Sequence, residues 1–463
     1  MKLDTTALIV GAGISGLVCA WALKKAGIET LLLEASPAPG GIIRSQRLDG
    51  YLVERGPQSF SETPALRHLC AELAIESEIL RAPSRAPRYV LLDGLLHQVP
   101  LTPPALLSSS LFNVRTKWSL AREAFGNSQP PDSDESVADF VRRKFSSELL
   151  DKLVGPFISG IYAGDPERLS LRSAFPQLHD AEQTAGSVIR GVKKRSKAAT
   201  GPAERPTVMT FADGNQTLVE AMASNIGPLL HCGARVLRVQ RIEPGSGDGP
   251  AAWKITASTS SSEKILSAQH LVFAAPAHVA AKLLGPVNPV FERALTKIEY
   301  APVAVVSLGY AGAQIKNPLN GFGFLVPRSQ RLRTLGTVWN SALFPGRAPA
   351  HHALLTSFVG GVADPQAIDL APEQISALVH GEIAPILAIS GTACFSTVEI
   401  YAHAIPQYTL GYTNLLAAIE QARANLPTLY FAGNYWQGPS LGACIERATK
   451  IAAEIATRAR QSN

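Results

Sequence analysis

The first part of the chain alternates between short apolar runs and glycine-rich turns. Residues 7–10 are apolar and end at a Gly-x-Gly-x-x-Gly turn, residues 17–26 follow a helical pattern, and residues 30–33 form a second apolar run that ends at Glu34. A strand, a glycine turn, a helix, a strand and an acidic residue within about 30 residues are typical of a βαβ unit that binds a dinucleotide. An ordinary glycine-rich turn is the alternative.

Each position of this turn suits a pyrophosphate group. Gly11 permits the tight turn, Gly13 lets the phosphates approach the backbone, and Gly16 lets the helix pack closely on the sheet. The backbone N–H groups around Ile14 and Ser15 are free donors at a helix start, where the helix dipole is positive. We therefore predict that the turn binds pyrophosphate.

The residues after this unit indicate which dinucleotide binds. Glu34, followed by Ala35, can accept hydrogen bonds from ribose hydroxyls, and the pair Gly40-Gly41 comes next. Residues 39–45 resemble the second glycine signature of the flavin amine oxidase superfamily, which favours FAD.

Two positions of this second signature differ from its usual form. The superfamily has arginines on either side of the glycine pair, where this chain has Ala38 and Ile42. Arg44 is the candidate for the missing positive charge.

Apolar patterns along the rest of the chain predict a second sheet and a helical block. Turns at Asp49-Gly50 and Asp93-Gly94 predict hairpins at residues 46–54 and 88–98. From residue 101 to about 175 the pattern is helical and interrupts the α/β pattern. Four β-rich apolar runs predict one antiparallel sheet: 301–310, 323–326, 334–339 and 353–359.

The end of the chain returns to the nucleotide-binding pattern. Residues 428–432 form an apolar run, residues 433–442 a glycine-rich turn, and a helical pattern continues to residue 458. A helix that begins near Ser440 would point its positive end at a bound group. If that group is the N1–C2=O edge of a flavin, the helix stabilises the negative charge of the reduced ring.

Composition excludes several classes of function. The chain has 463 residues, 46% of them hydrophobic, and a net charge of +6, which suits two or three domains and modestly favours anionic substrates or an anionic membrane surface. No apolar run reaches the ~18 residues of a membrane-spanning helix, and the first strand begins too early for a signal peptide. Five scattered cysteines predict buried thiols in a reducing cytosol. The histidines lack metal-ligand spacing, and no nucleic-acid motif occurs.

A basic stretch follows the helical block. Residues 190–197 are rich in lysine and arginine, and they show no apolar period. With the following residues to 205, we predict an exposed loop. A basic edge near anionic lipid or substrate carboxylates is the alternative.

Together, these motifs resemble the protoporphyrinogen oxidase family, essentially from end to end. The most specific one is Ser-Gly-Ile-Tyr-Ala-Gly-Asp-Pro at residues 159–166. The others are the glycine unit at 11–34 and the stretches 54–60, 321–327, 358–361, 405–408 and 432–434.

The resemblance implies three interleaved domains. They are a Rossmann-like FAD-binding domain of the p-hydroxybenzoate hydroxylase type, an antiparallel-sheet substrate domain, and an inserted helical membrane-binding domain that carries the basic loop. The implied bounds are 1–84, 207–285 and 410–463 for the first, 85–100 and 286–409 for the second, and 101–206 for the third.

The resemblance also implies functional residues. Arg88 would pair with a substrate propionate, Leu325, Val338 and Phe358 would sandwich the macrocycle, and Gly164 would be the pocket glycine; Val338 stands where close relatives have a larger, leucine-like side chain. The implied FAD ligands are Gly11, Gly13, Ile14, Ser15, Gly16, Glu34, Ala35, Gly40, Gly41, Gly56, Pro57, Val236, Gly433, Asn434, Ser440 and Leu441.

The chemistry implied by the family needs no catalytic side chain and no metal. Hydride leaves a bridge carbon of a porphyrinogen for the flavin N5, in three rounds, with molecular oxygen as acceptor. FAD would be non-covalent, since the turn at residues 438–442 has no cysteine. We expect a cytoplasmic protein at the membrane periphery, and the family also allows a homodimer.

Three other functions stay open. A coproporphyrinogen III oxidase is the nearest catalytic relative, and a flavin amine oxidase would use an aromatic cage such as Tyr435 and Trp436. A flavin-binding scaffold without activity is the third. An apolar pocket around Arg88 favours protoporphyrinogen, because coproporphyrinogen carries four carboxylates to be neutralised.

Overall fold

A computed structural model describes residues 4–100, 102–198, 207–242, 252–259 and 262–462 of the chain. The strands of this part, in chain order, are β1 (Thr5–Val10), β2 (Thr30–Leu33), β3 (Ser45–Leu48), β4 (Tyr51–Glu54), β5 (Phe60–Ser61), β6 (Ile79–Arg81), β7 (Arg88–Leu92), β8 (Leu95–Gln98), β9 (Val208–Phe211), β10 (Leu230–His231), β11 (Arg235–Ile242), β12 (Ala252–Ser258), β13 (Glu263–Phe273), β14 (Tyr300–Ala311), β15 (Gly323–Leu325), β16 (Thr334–Val338), β17 (His352–Gly360), β18 (Phe395–Pro406) and β19 (Leu429–Phe431).

The helices between these strands are numbered in the same way. They are α1 (Ile14–Lys25), α2 (Pro64–Glu72), α3 (Pro103–Ser108), α4 (Val114–Phe125), α5 (Val137–Lys144), α6 (Ser147–Leu149), α7 (Gly155–Tyr162), α8 (Leu171–Ala174), α9 (Pro176–Ala185), α10 (Val188–Ala198), α11 (Gln216–Ile226), α12 (Ala277–Leu284), α13 (Pro289–Leu295), α14 (Asn340–Leu343), α15 (Pro372–Leu387), α16 (Tyr412–Arg423), α17 (Asn434–Gln437) and α18 (Leu441–Ser462). A π-helical turn at Leu150–Val154 leads into α7.

The first sheet joins both ends of the chain. Its strand order is β10-β2-β1-β13-β12-β11, and β19 pairs with the last residues of β13. β1, β2, β10, β13 and β19 run parallel to one another, as strands joined through helices do. β1 and the C-terminal part of β13 are buried, as expected for strands covered on both faces.

The second sheet contains all four runs that the sequence predicted to pair. Its order is β18-β14-β17-β16-β15-β7-β8. The sheet is not wholly antiparallel as predicted, because β15 and β7 run parallel, with Gly323 opposite Arg88. The hairpin of β7 and β8 joins the sheet at this edge although it lies far away in sequence.

A block of helices, α3 to α10, lies between the hairpin and the return of the chain to β9. Ser136 caps α5, since its Oγ accepts a hydrogen bond from the N–H of Asp139 at 3.0 Å. The prediction of a loop at residues 190–197 is wrong, because these residues belong to α10; residues 199–205 of the predicted loop lie outside the described part.

One further prediction needs correction. Cys19, Cys70 and Cys444 are buried, but Cys232 and Cys394 are exposed, because each lies in a turn beside a strand end rather than in the core. Among the described residues, no helix is long and apolar enough to span a membrane.

Candidate cofactor cavity and substrate face

A cavity of about 760 Å³ opens at the carboxyl ends of β1, β2 and β13. Loops that leave these strands form one wall, and the turn between β19 and α18 forms another. Ligands of open parallel sheets bind at this edge, where the strands end and the helices begin. The local strand order therefore places the glycine turns of both chain ends around one space.

The first glycine turn has the geometry that a phosphate cradle needs. Gly11 has a φ of +100°, and a Cβ there would lie 3.0 Å from the backbone nitrogen of Ala275. A Cβ on Gly16 would lie 1.9 Å from the carbonyl oxygen of Gly11, so α1 can touch the turn only with glycine there. A Cβ on Gly13 would meet nothing within 4 Å, since this residue faces open space.

Glu34 is fixed at the end of β2 by two backbone donors. The N–H of Ala12 donates to its Oε2 at 2.7 Å, and the N–H of Ser36 donates to its Oε1 at 2.8 Å. The carboxylate lines the cavity. It can therefore accept hydrogen bonds from a diol without moving.

The second glycine pair lies directly over the first turn. The N–H of Gly40 donates to the carbonyl oxygen of Ala12 at 2.8 Å, and a Cβ on Gly41 would lie 3.5 Å from the Cα of Gly13. Ile42 lines the cavity, whereas Arg44 does not. Backbone donors and the start of α1, rather than Arg44, are thus what the cavity offers a pyrophosphate.

The wall from the chain end is held by tyrosines. The hydroxyl of Tyr408 donates to the carbonyl oxygen of Asn434, and that of Tyr412 to the carbonyl oxygen of Tyr435. Trp436 stacks on Phe431, with ring centroids 5.3 Å apart, and does not line the cavity. Tyr435 lines the cavity without Trp436, so the two do not form an aromatic cage around it.

Most residues predicted to bind FAD line this cavity. They are Gly11, Gly13, Ile14, Ser15, Glu34, Ala35, Gly40, Gly41, Pro57, Val236, Gly433, Asn434, Ser440 and Leu441. Gly16 and Gly56 lie behind the lining as close-packing positions; a Cβ on Gly56 would lie 2.0 Å from the carbonyl oxygen of Ile42.

Other lining residues were missed by sequence reasoning. They include Ala275, Pro276, His278, Tyr300 and His403. The turn Ala275-Pro276 after a buried strand was a usable signal. The other three come from α12, β14 and β18, and no local motif connects these elements.

Four of the five predicted substrate residues lie on one face of the second sheet, outside the cavity lining. Arg88, Gly323 and Val338 are in register across β7, β15 and β16. Leu325, Gly336 and Phe358 are likewise in register across β15, β16 and β17. They lie two residues further along the strands, and because side chains alternate between the two faces of a sheet, they share the face of Arg88 and Val338. The sheet thus brings together residues from four separate strands.

Arg88 has no ion-pair partner in the part of the chain that the structure describes. Its guanidinium lies over the ring of Phe322, 5.2 Å from the centroid. Two arginines between β15 and β16 are paired, Arg328 with Asp165 at 3.4 Å and Arg333 with Asp364 at 2.6 Å. Arg88 is therefore the arginine of these three that is available to a carboxylate.

Two glycines of the 159–166 motif make different contacts in the structure. A Cβ on Gly160, in α7, would come 2.3 Å from Cδ2 of Leu325, so this glycine packs directly on the substrate face. A Cβ on Gly164 would instead come 2.7 Å from Oε1 of Gln407 and 3.1 Å from Leu169. Gly160, which sequence reasoning missed, is the glycine that contacts Leu325.

Burial controls the ionisation of groups near these sites. It raises the pKa of Tyr300 and of Tyr401 to about 12, so both phenols are neutral at pH 7. Burial also raises the pKa of Cys444, which lines the cavity, to about 11. This thiol is therefore a poor nucleophile at neutral pH.

Comparisons with known proteins agree with this geometry. A family model described as flavin containing amine oxidoreductase matches residues 14–458. The chain is 32% identical to the chloroplastic protoporphyrinogen oxidase of Nicotiana tabacum, over 97% of this chain and 85% of that protein. It is 28% identical to the coproporphyrinogen III oxidase of Bacillus subtilis, over 97% of both chains.

A solved structure shows the same fold. A candidate protoporphyrinogen oxidase from Exiguobacterium sp. superposes with a TM-score of 0.81 at 22% identity, over 99% of this chain and 100% of that chain. The two glycine turns, fixed Glu34 and two helix starts fit FAD, the cofactor of the family. The chain therefore belongs to the flavin-containing amine oxidoreductases and, within them, to the protoporphyrinogen oxidases.

Proposed function

We propose that this enzyme oxidises protoporphyrinogen IX to protoporphyrin IX in porphyrin biosynthesis. The observation that carries the proposal is Arg88, which has no ion-pair partner among the described residues and lies at the edge of an apolar sheet face. Bound FAD supplies the hydride acceptor, and molecular oxygen is the final oxidant. The chain's own task is to bind the porphyrinogen, orient it and exclude water.

Arg88 anchors one edge of the substrate. A guanidinium presents two parallel N–H donors to a carboxylate, and the ring of Phe322 beneath it limits its movement. Leu325, Val338 and Phe358 offer apolar contact to the macrocycle, and Gly160 leaves room beside Leu325. One charged anchor and an otherwise apolar slot suit a ring with two propionates on one edge.

The nearest alternative is oxidation of coproporphyrinogen III, the activity named for the Bacillus subtilis relative. Its four propionates would need more cations, because a buried unpaired carboxylate is costly. Arg328 and Arg333 already have carboxylate partners and do not meet this need. The pairing of these arginines favours protoporphyrinogen.

The test incubates the purified protein with each of the two porphyrinogens and follows the fluorescence of the porphyrin that forms. We expect kcat/KM for protoporphyrinogen IX to be higher by at least about tenfold, the factor that about 1.4 kcal/mol of mismatch gives. Equal or faster oxidation of coproporphyrinogen III would promote that alternative. Peroxide release with polyamines would instead indicate an amine oxidase. If the protein turned over neither porphyrinogens nor polyamines, it would be a flavin-binding scaffold without activity.

The proposed cofactor contacts follow the cavity wall. The start of α1 with Gly11 and Gly13 would hold the pyrophosphate, and Glu34 the adenosine ribose. The start of α18, where Ser440 Oγ accepts from the N–H of Ala443 at 3.2 Å, would face the flavin ring. The raised pKa of Cys444 supports a non-covalent cofactor.

The three proposed domains are supported by the sheets. Strands of the first sheet fall within 1–84, 207–285 and 410–463, as a Rossmann-like domain of the p-hydroxybenzoate hydroxylase type requires. Strands of the second sheet fall within 85–100 and 286–409, and α3 to α10 fall within 101–206. The helical block is thus best described as an insertion into the other two domains.

The helical block also supports peripheral membrane binding from the cytoplasmic side. The apolar segment that precedes α4 ends in Leu111 and Phe112, which are buried and so are not free to insert. α4 is the better candidate, because Val114, Trp118 and Phe125 are 81%, 64% and 87% exposed. Basic residues interleave with them at Arg115, Lys117 and Arg122.

Flotation with liposomes tests the membrane proposal. We expect the parent chain to float with anionic vesicles and Trp118→Asp to float much less, since a charge replaces an exposed apolar anchor. Ile265→Asp is the matched control, because Ile265 is 62% exposed on β13 and does not belong to the helical block. A parent chain that stays wholly in the soluble fraction would contradict the proposal. A homodimer remains a prediction from the family alone.

A further inference from the structure

Two histidines from different sheets meet at the wall of the cofactor cavity. His278 lies in the first turn of α12, which follows the first sheet, and His403 lies on β18 of the second sheet. Their ring centroids are 4.4 Å apart with planes tilted by 33°. Both side chains line the cavity, and both are exposed to solvent.

Tyr300 on β14 completes this contact between the sheets. Its ring lies 5.8 Å from that of His278 and 6.0 Å from that of His403. Its hydroxyl accepts a hydrogen bond from the N–H of Ala277 at 3.0 Å, which fixes the start of α12. The three rings therefore tie α12 to the second sheet at the cavity wall.

The charges around the pair are mostly positive. Lys282 lines the cavity one helical turn after His278, and Arg235 lines it from β11. Glu292 of α13 shares a neighbouring cavity with His278 and Lys282. Partial burial of the His278 ring against the cavity wall, followed by the proximity of His403, lowers the pKa of His278 from its ordinary value of 6.5.

We propose that His278 and His403 form a pH-sensitive clasp that holds the two sheets together across the cofactor cavity. Neutral imidazoles stack, but two imidazolium rings at this distance repel each other, and Lys282 adds to the repulsion. Since the pKa of His278 is lowered in the folded protein, neutral His278 stabilises the fold fully above the ordinary histidine pKa, and this stabilisation is lost as the pH falls through the lowered pKa. Because the clasp forms part of the cavity wall, its opening in mild acid should weaken FAD binding.

The experiment measures the dissociation constant of FAD from the full-length protein by the fluorescence of released flavin. For the parent chain, we expect this dissociation constant to rise about tenfold from about pH 8 to about pH 5.5, a factor that corresponds to about 1.4 kcal/mol of lost binding. In the double variant His278→Phe/His403→Phe, two rings remain in contact but carry no titratable group. The dissociation constants of FAD at the two pH values should therefore be nearly equal.

Three results would overturn the clasp. One is an equal rise of the FAD dissociation constant in the parent chain and the double variant, which would assign the pH effect to other groups. The second is a parent chain whose dissociation constant does not rise. The third is a parent chain that loses its far-UV circular dichroism together with the flavin, since the whole protein would then unfold. His403→Lys adds a separate check, because a permanent charge beside His278 should weaken FAD binding already at about pH 8. These measurements need no porphyrinogen, so they do not depend on the proposed substrate.

Discussion

The cofactor cavity is built mainly from backbone, whereas the substrate face of the second sheet is built from side chains. Around the cavity, glycines with open space or positive φ expose N–H groups at the starts of two helices. On the substrate face, Arg88, Leu325, Val338 and Phe358 come from four strands, of which β7 is distant in sequence from the other three. The two sites therefore respond differently to mutation.

The difference has a chemical reason. A pyrophosphate is the same in every FAD, so a fixed arrangement of backbone donors serves it and leaves a motif in the sequence. A porphyrinogen is recognised through its shape and the positions of its carboxylates, which side chains set. Loss of a glycine should remove cofactor binding altogether, and loss of one side chain should only weaken substrate binding.

The largest expected effect follows from Gly13→Leu. A Cβ at this position meets nothing within 4 Å, so the leucine would extend into the cavity and occupy the place of the pyrophosphate. We expect a folded protein without FAD, measured as loss of flavin absorbance with an unchanged melting temperature of the apoprotein.

Gly16→Ala is the contrasting variant on the same turn. Its Cβ would lie 1.9 Å from the carbonyl oxygen of Gly11, so α1 must move away from the turn. Overpacking of this kind costs about 1–3 kcal/mol or more, and the apoprotein itself should melt earlier. If Gly13→Leu also lowered the melting temperature of the apoprotein, the distinction between cradle and packing glycine would fail.

This contrast explains what the sequence could predict. The β1-α1-β2 unit and the hairpins were predictable because their signals lie within a few residues of each other. α10 was not, because it packs on α9 through Gly191, where a Cβ would lie 2.4 Å from the carbonyl oxygen of Ala181. Because α10 packs on its neighbour through a glycine rather than through large apolar side chains, its sequence lacks the regular apolar spacing by which a helix is predicted.

Long-range pairing explains the other misses. The parallel contact of β7 with β15 depends on a sheet edge that no local pattern reveals. The same is true of the contact between Gly160 and Leu325, and of the meeting of His278 with His403. Side chains brought together only by tertiary structure leave no spacing in the sequence.

The next largest effect is expected for Arg88→Ala. A charge-assisted hydrogen bond contributes about 1.5–3 kcal/mol, so KM for protoporphyrinogen should rise roughly ten- to a hundredfold. Because the anchored propionate is far from the reacting bridge, kcat should fall much less. Steady-state kinetics with porphyrin fluorescence measures both constants.

Arg85→Ala is the control for this variant. Arg85 is exposed in the loop before β7 and carries the same charge without belonging to the sheet face. Its KM should stay near that of the parent chain. An unchanged KM in Arg88→Ala, or an equal change in both variants, would reduce Arg88 to a surface charge and remove the anchor from the substrate face.

The smallest expected effect tests whether Val338 contacts the substrate or packs in the core. Val338 stands in the row of Arg88 and is only half-buried, so Val338→Leu adds one methylene to the slot. A methylene buried against the macrocycle contributes about 0.8 kcal/mol, which should lower KM about fourfold. The free energy of unfolding should hardly change.

Val359→Leu provides the matched control on the opposite face of the same sheet. Val359 is 1% exposed and packs in the core beneath α15, next to Phe358 in the chain. An added methylene there should lower the free energy of unfolding by about 1–3 kcal/mol through overpacking and leave KM unchanged. The two variants differ by the face they modify and not by the chemistry of the change. If Val338→Leu destabilised the protein as Val359→Leu does and left KM unchanged, Val338 would belong to the core, and the substrate face would end at Leu325.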